Sequence, residues 1–135
     1  MKNIEKKEVS FRELVNKKIK NFNWNDNIKV QKILYFLYGV YYKDTGEEII
    51  NNPIFYSFKY GPFEENYSKK KDIILHIQND KIDNVIDYIK RLNDMDTIDL
   101  IELSHETAPW ITAGSGKELW KRMDNEEIRE YFKKQ

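Results

Sequence analysis

The stretch Ile28–Tyr42, IKVQKILYFLYGVYY, constrains the fold more than any other part of the chain. Its residues Val30, Ile33, Leu34, Leu37, Tyr38 and Tyr41 recur at the three- and four-residue steps that put side chains on one face of an α-helix. Ile28, Tyr35, Phe36 and Tyr42 lie off that face, so the helix is apolar nearly all round. Such a helix has to be covered on several sides, which makes it the centre of a small domain. It is too short, and with Lys29 and Lys32 too charged, to span a bilayer.

A chain of 135 residues fits one domain and can bury a core without covalent staples. Cysteine is absent, which excludes disulfides and thiolate metal sites and fits a reducing compartment. The opening MKNIEKKEVS is charged with no apolar run, so no secretory leader is expected and the expected location is cytoplasmic. Basic and acidic residues balance at 23 each. A domain that grips nucleic acid usually carries a basic excess, so that partner is disfavoured. The lysine runs Lys17-Lys18-Lys20, Lys69-Lys70-Lys71 and Lys133-Lys134 read as solvated faces.

Ser10-x-x-Glu13 reads as a capping box that opens a helix ending near Asn21, with Phe11, Leu14 and Val15 on one side. Asn25 or Asp26 can cap the central helix, and Lys43-Asp44-Thr45-Gly46 ends it. After the turn Asn51-Asn52-Pro53, an aromatic alternation predicts a strand over 54–59 that Gly61-Pro62 stops. A strand needs a partner, and the expected one is Glu47–Ile50 in a short hairpin. Glu64–Lys71 reads as helix, and Asp72–Gln78 (DIILHIQ) is open between helix and strand. Asp80–Leu92 is an amphipathic helix with Ile82, Val85, Ile86, Ile89 and Leu92 inward. A further helix begins at Asp96 or Thr97 and is ended by Pro109, leaving 111–116 as a loop. Asp124-x-x-Glu127 caps the last helix, whose Ile128, Tyr131 and Phe132 face inward. The expected fold is a single compact domain, mainly α, with about five to six helices around 28–42 and a short β-hairpin near 47–60.

Chemical motifs are few. Gly114-Ser115-Gly116-Lys117 lacks the earlier glycine (Ile111 stands there) and the following Ser or Thr (Glu118) of a phosphate loop. His105-Glu106 could begin a zinc-binding helix, but the second histidine position is Pro109. No serine sits in a recognisable nucleophile elbow. Carboxylates are plentiful, yet none has a distinctive context. The expectation is a protein that is not an enzyme, with no cofactor and no metal.

Three features remain: the aromatic density of Tyr35–Tyr42, the Tyr60-Gly61-Pro62 corner, and Leu103-Ser104-His105 with Pro109-Trp110. One reading is structural, with the tyrosines as core, Gly-Pro as a turn, and His105 and Trp110 stacked beneath a loop. The other is that they rim a partner-binding surface, because Tyr and Trp concentrate binding energy at interfaces.

In this order the three features resemble the Panacea domain, the phage-associated family with SocA-like and GepA-like members. Val30-Gln31-Lys32-Ile33-Leu34-Tyr35-Phe36 followed by Gly39 is similar to the family's first helix. The aromatic strand into Tyr60-Gly61-Pro62, Leu103-Ser104-His105 with Pro109-Trp110, and the closing Glu127-Ile128 and Tyr131-Phe132 follow in family order. Ser57 or Phe58 stands where a tryptophan is usual, the segment before Trp24 has no counterpart, and the loop ITAGSGKELW departs from the usual continuation. The resemblance implies residues 1–27 as a helical lead-in and 28–135 as the Panacea-like helical domain. It further implies an antitoxin-like module of prophage or mobile-element origin that neutralises a toxin or effector protein by direct contact. Alternatives are a phage counter-defence inhibitor of a host immunity protein and a DNA-binding regulator. The signature residues are Lys32, Tyr35, Tyr38, Tyr60, Gly61, Pro62, His105 and Trp110. At least one of Lys32, Tyr35 and Tyr38 is expected at or near a protein-binding surface, where the three parts meet.

Overall fold

A computed structural model of the chain describes residues 5–135. In chain order its elements are β1 (Lys6–Ser10), α1 (Phe11–Lys18), α2 (Asn27–Thr45), β2 (Phe55–Phe58), β3 (Gly61–Glu64), α3 (Glu65–Lys70), β4 (Ile74–Gln78), α4 (Ile82–Asp94), α5 (Thr97–His105), α6 (Ala108–Thr112) and α7 (Asn125–Lys133).

Helix α2 is the centre. The Asp26 carboxylate accepts from the Lys29 backbone N–H at 3.0 Å and so satisfies one of the free donors at the helix start. Val30, Ile33, Leu34, Tyr35 and Tyr38 are wholly buried. Helices α4, α5 and α7 and strand β3 all pack on α2. Val85, Ile86, Ile89 and Leu92 bring the inner face of α4, and Ile128 and Phe132 that of α7. Two further expected caps are in place: Ser10 accepts from Glu13 N at 3.0 Å, and Asp124 from Glu126 N at 2.8 Å.

The expectation of a mainly α chain with one hairpin is overturned. Among the described residues the fold is mixed α and β, with seven α-helices and two separate two-stranded antiparallel sheets. The first sheet pairs β1 with β4, from Lys6 opposite Gln78 to Ser10 opposite Ile74. It settles DIILHIQ as a strand, because Leu75 and Ile77 alternate inward while β1 supplies the ladder. The second sheet is a hairpin placed differently from expectation, with β3 after β2 as its partner. Gly61-Pro62 therefore starts a strand instead of stopping one. Lys59 and Tyr60 make the turn, and Gly61 at φ +101° takes the left-handed conformation that closes it. Glu47–Ile50 is not a strand. Its Ile49 and Ile50 side chains plug the core, and Ile49 O accepts from His76 N at 2.7 Å.

Pro109 also behaves differently from expectation: it lies in the first turn of α6, where a missing N–H is harmless, and begins a helix there. Of the lead-in expected over 1–27, residues 1–4 lie outside the described residues. The remainder is woven into the core through Phe11, whose ring meets Phe22, Trp24 and Tyr67 edge-on at 6.1, 5.7 and 6.4 Å.

Candidate functional site

The face of α2 that meets the hairpin is polar. The Gln31 side-chain amide donates to Glu64 O at 3.1 Å and accepts from Glu64 N at 2.7 Å. One turn-step along, the Lys32 ammonium donates to Pro62 O at 2.9 Å. Lys32 is 2% exposed, and burial lowers its pKa from 10.5 to about 7, with Asp26 pulling the other way. The Lys32 stem lies directly under Gly61: a Cβ there would stand 2.4 Å from Ser104 Oγ and 2.5 Å from Lys32 Cε. Glycine is required at 61 by space as well as by backbone angle.

Helices α5 and α6 close the other side. Thr107 Oγ1 donates to Ser104 O at 2.7 Å, so the Tyr35 hydroxyl, 2.8 Å from Thr107 Oγ1, is the donor of that pair. Burial pushes the Tyr35 phenol well above its ordinary value. His105 stacks on Trp110 with centroids 3.9 Å apart and planes at 8°. Burial holds the His105 imidazole below its ordinary value, and its Nε2 is buried with no hydrogen-bond partner among the described residues. Trp110 Nε1 donates to Phe58 O at 2.9 Å, which ties α6 to the hairpin. Ser57 donates to Trp110 O at 3.2 Å and accepts from Gly116 N at 3.1 Å. Gly116 lies against the hairpin backbone, where a Cβ would meet Phe58 C at 2.5 Å. Of the two glycines that imitate a phosphate loop, Gly116 thus serves a close backbone approach, while Gly114 faces open space at φ +97°.

The three sequence motifs converge on one junction. A family profile described as "Antitoxin SocA-like, Panacea domain" matches residues 30–111, from the first turn of α2 to α6. The chain belongs to this family. Neither a curated protein nor a solved structure matches it. Its role is accordingly antitoxin-like.

Within the Panacea junction the signature residues part company. Lys32, Gly61, Pro62, His105 and Trp110 meet, and Tyr35 joins them through Thr107. Tyr38 does not: its hydroxyl donates to Glu48 at 2.6 Å and accepts from Arg129 at 3.0 Å, tying α2 to α7 elsewhere. Lys32, Tyr35 and Tyr38 are all buried, and of the three Lys32 comes nearest a surface, in the lining of a groove over the junction. Their hydroxyl and ammonium groups find partners inside the protein, so the helix has no need to present them to water. Tyr60 is the exposed signature residue, at 52%.

The surface over this junction is apolar. A groove of about 330 Å³ runs between the start of α2, the hairpin turn and the loop after α6, with Ile28, Tyr60, Phe63 and Leu119 among its walls and Lys32 in its lining. Beside it is an aromatic shelf. Tyr56, Phe58 and Phe63 point outward from the hairpin while Phe55 and Ser57 point inward. Trp120 lies edge-on to Tyr56 and Phe58 at 5.3 and 5.4 Å. It holds φ +61°, strained for so bulky a residue, and is 62% exposed. Gln31 and Ser104 were read as motif members and Ser57 as a departure, none of them as a site residue, and Trp120 was not singled out. The alternation Phe55-Tyr56-Ser57-Phe58 was the one signal for the shelf, since a strand with one face in the core turns its other aromatics outward.

Proposed function

We propose that this Panacea protein is an antitoxin that neutralises a toxin protein by direct contact, encoded on a prophage or other mobile element and acting in the cytoplasm. The observation that carries this is the groove and shelf directly over the family's motif junction. Exposed Tyr60, Leu119 and Trp120 gather there instead of being scattered, and contiguous apolar surface rimmed by polar residues marks protein contact. Tyrosine and tryptophan are the residues through which such contacts gain most of their energy. No described helix is long and apolar enough to cross a membrane.

The test is co-expression with the product of the adjacent gene. That product alone should arrest growth, co-expression should relieve the arrest, and the two chains should co-purify. Tyr60→Ala with Trp120→Ala should restore the arrest while leaving thermal melting within a few degrees of the parent, because neither side chain is in the core. A harmless neighbour that never co-purifies would sink the proposal. Capture of a host defence protein instead would favour the counter-defence reading. The loop carrying Leu119 and Trp120 is the feature that supports that alternative, since it departs from the family's usual continuation.

A further inference from the structure

The groove carries a chemical preference of its own. Its walls hold two lysines, Lys32 and Lys59, and no carboxylate. Lys59 is drawn over the Tyr60 ring at 5.6 Å and so sits at the rim. Lys32 is in the lining. An ammonium has three N–H groups to donate, and among the described residues that of Lys32 meets one acceptor, Pro62 O. Among the described residues no acid lies within ion-pair distance of it: Asp26, before α2, acts on Lys32 only from farther away, and the nearby His105 of α5 and Lys59 of the turn bear no carboxylate. A buried, unpaired cation is unfavourable to keep. The apolar walls strengthen any charge that comes to meet it. Gly61 covers the end of its stem with backbone alone, and the 2% of Lys32 left exposed lies in the groove lining.

We infer that the groove binds a segment of the partner protein bearing an acidic side chain beside apolar ones, the carboxylate reaching Lys32 and the apolar groups lying against Ile28, Phe63 and Leu119. This rests on the proposed role in protein neutralisation and names the chemistry of the contact. A carboxylate at Lys32 completes its donors and offsets the burial of its charge. Because burial lowers the Lys32 pKa to about 7, pairing it with a carboxylate above that pH draws in a proton. Binding therefore weakens as pH rises, by about tenfold or more between pH 7 and pH 9.

Short random peptides displayed on filamentous phage through their C-termini, so that no free terminal carboxylate is offered, are panned on the intact chain. Enriched sequences should combine Asp or Glu with an adjacent large apolar residue. The amidated synthetic peptide should bind Lys32→Met at least tenfold more weakly than the parent. Calorimetry at pH 8 in two buffers of different ionisation heat should register proton uptake by the parent and none by Lys32→Met. Circular dichroism and melting of Lys32→Met confirm that it is folded, and the proton count on the parent stands without any variant. Enriched peptides lacking acids, equal binding to Lys32→Met, or zero proton uptake would each overturn the assignment. Lys32-dependent peptide binding with a harmless neighbouring gene would remove the antitoxin reading and leave the groove. Neutralisation that survives Lys32→Met would do the reverse.

Discussion

Replacing Gly39 with alanine should destabilise the protein even though alanine is the better helix former. Inside a helix the exchange is worth about 1 kcal/mol in alanine's favour. Against it stands Phe132 of α7. A Cβ at position 39 would fall 2.1 Å from Phe132 Cδ2, 2.3 Å from Cγ and 2.4 Å from Cε2, inside the ring's own edge. Phe132 is 5% exposed and held by Tyr35, Phe36 and Tyr131 at centroid distances of 5.5, 6.1 and 5.2 Å, so the ring has nowhere to swing. Overpacking of this kind costs about 1–3 kcal/mol, and overlap this deep belongs at the upper end. After the helix gain a net loss of about 2 kcal/mol remains, or roughly 5–10 °C in melting temperature for a domain of this size. A double-mutant cycle isolates the cause. Phe132→Ala alone costs about 3–5 kcal/mol, but in its background Gly39→Ala should become favourable by about 1 kcal/mol, a coupling near 3 kcal/mol. Urea unfolding followed by far-ultraviolet circular dichroism measures all four corners, with a stabilising osmolyte keeping Phe132→Ala folded. A neutral or stabilising Gly39→Ala in the parent, or the same sign in both backgrounds, would show that α7 does not rest on Gly39.

Two further substitutions probe the junction. The Lys32 pKa of about 7 in the fold lies below its ordinary 10.5, so the unfolded chain binds more protons between those values and parent stability rises with pH across them. At about 1.4 kcal/mol per unit the burial penalty approaches about 5 kcal/mol below pH 7, while removing the donor strands Pro62 O at about 1–3 kcal/mol. Lys32→Met should therefore be more stable than the parent at pH 6 and less stable at pH 10, crossing near about pH 9; a difference that does not vary with pH in urea titrations would refute this. Glu64→Gln should cost about 1–3 kcal/mol, because the buried carboxylate accepts from Ile54 N and Tyr67 N at 2.8 and 2.7 Å, and an amide presents a second donor to those donors. Unchanged unfolding midpoints would show that charge plays no part there.

What was legible in the sequence was whatever a single helix announces by itself. α2, α4 and α7 carry their apolar period within a few consecutive residues, α2 and α7 their caps as well, and their placement followed. β1 carries neither. In Lys6-Lys7-Glu8-Val9-Ser10 only Val9 is buried and apolar, and the partner strand runs from Ile74 to Gln78. Nothing local distinguishes that segment from a charged lead-in. The same limit applied to the site. Lys32 was recognisable as a motif position, but its burial depends on Pro62 O, a group that another element supplies. Trp120 lies outside every motif, and its exposure is set by a backbone angle that composition does not reveal.

The spacing of the family motifs has a physical reason in the edges of the hairpin. A two-stranded sheet leaves a row of unpaired backbone groups on each outer side, and buried ones must be satisfied. On the β2 side the segment after Trp120 does this, through Ser57 N to Lys121 O and Met123 N to Phe55 O, both at 2.8 Å. On the β3 side no strand arrives among the described residues. Pro62 and Glu64, two residues apart, turn their backbone toward α2, where Lys32 takes Pro62 O and Gln31 takes both polar groups of Glu64. Pro62 is tolerated because its missing N–H faces this edge instead of β2. The Gln-Lys pair in the first motif and the Gly-Pro corner in the second are thus two halves of one ladder, with side chains standing in for a third strand. That explains how a helix that reads as apolar all round keeps two polar residues buried on one face. It also explains how Lys32 is fixed beneath the groove with donors to spare.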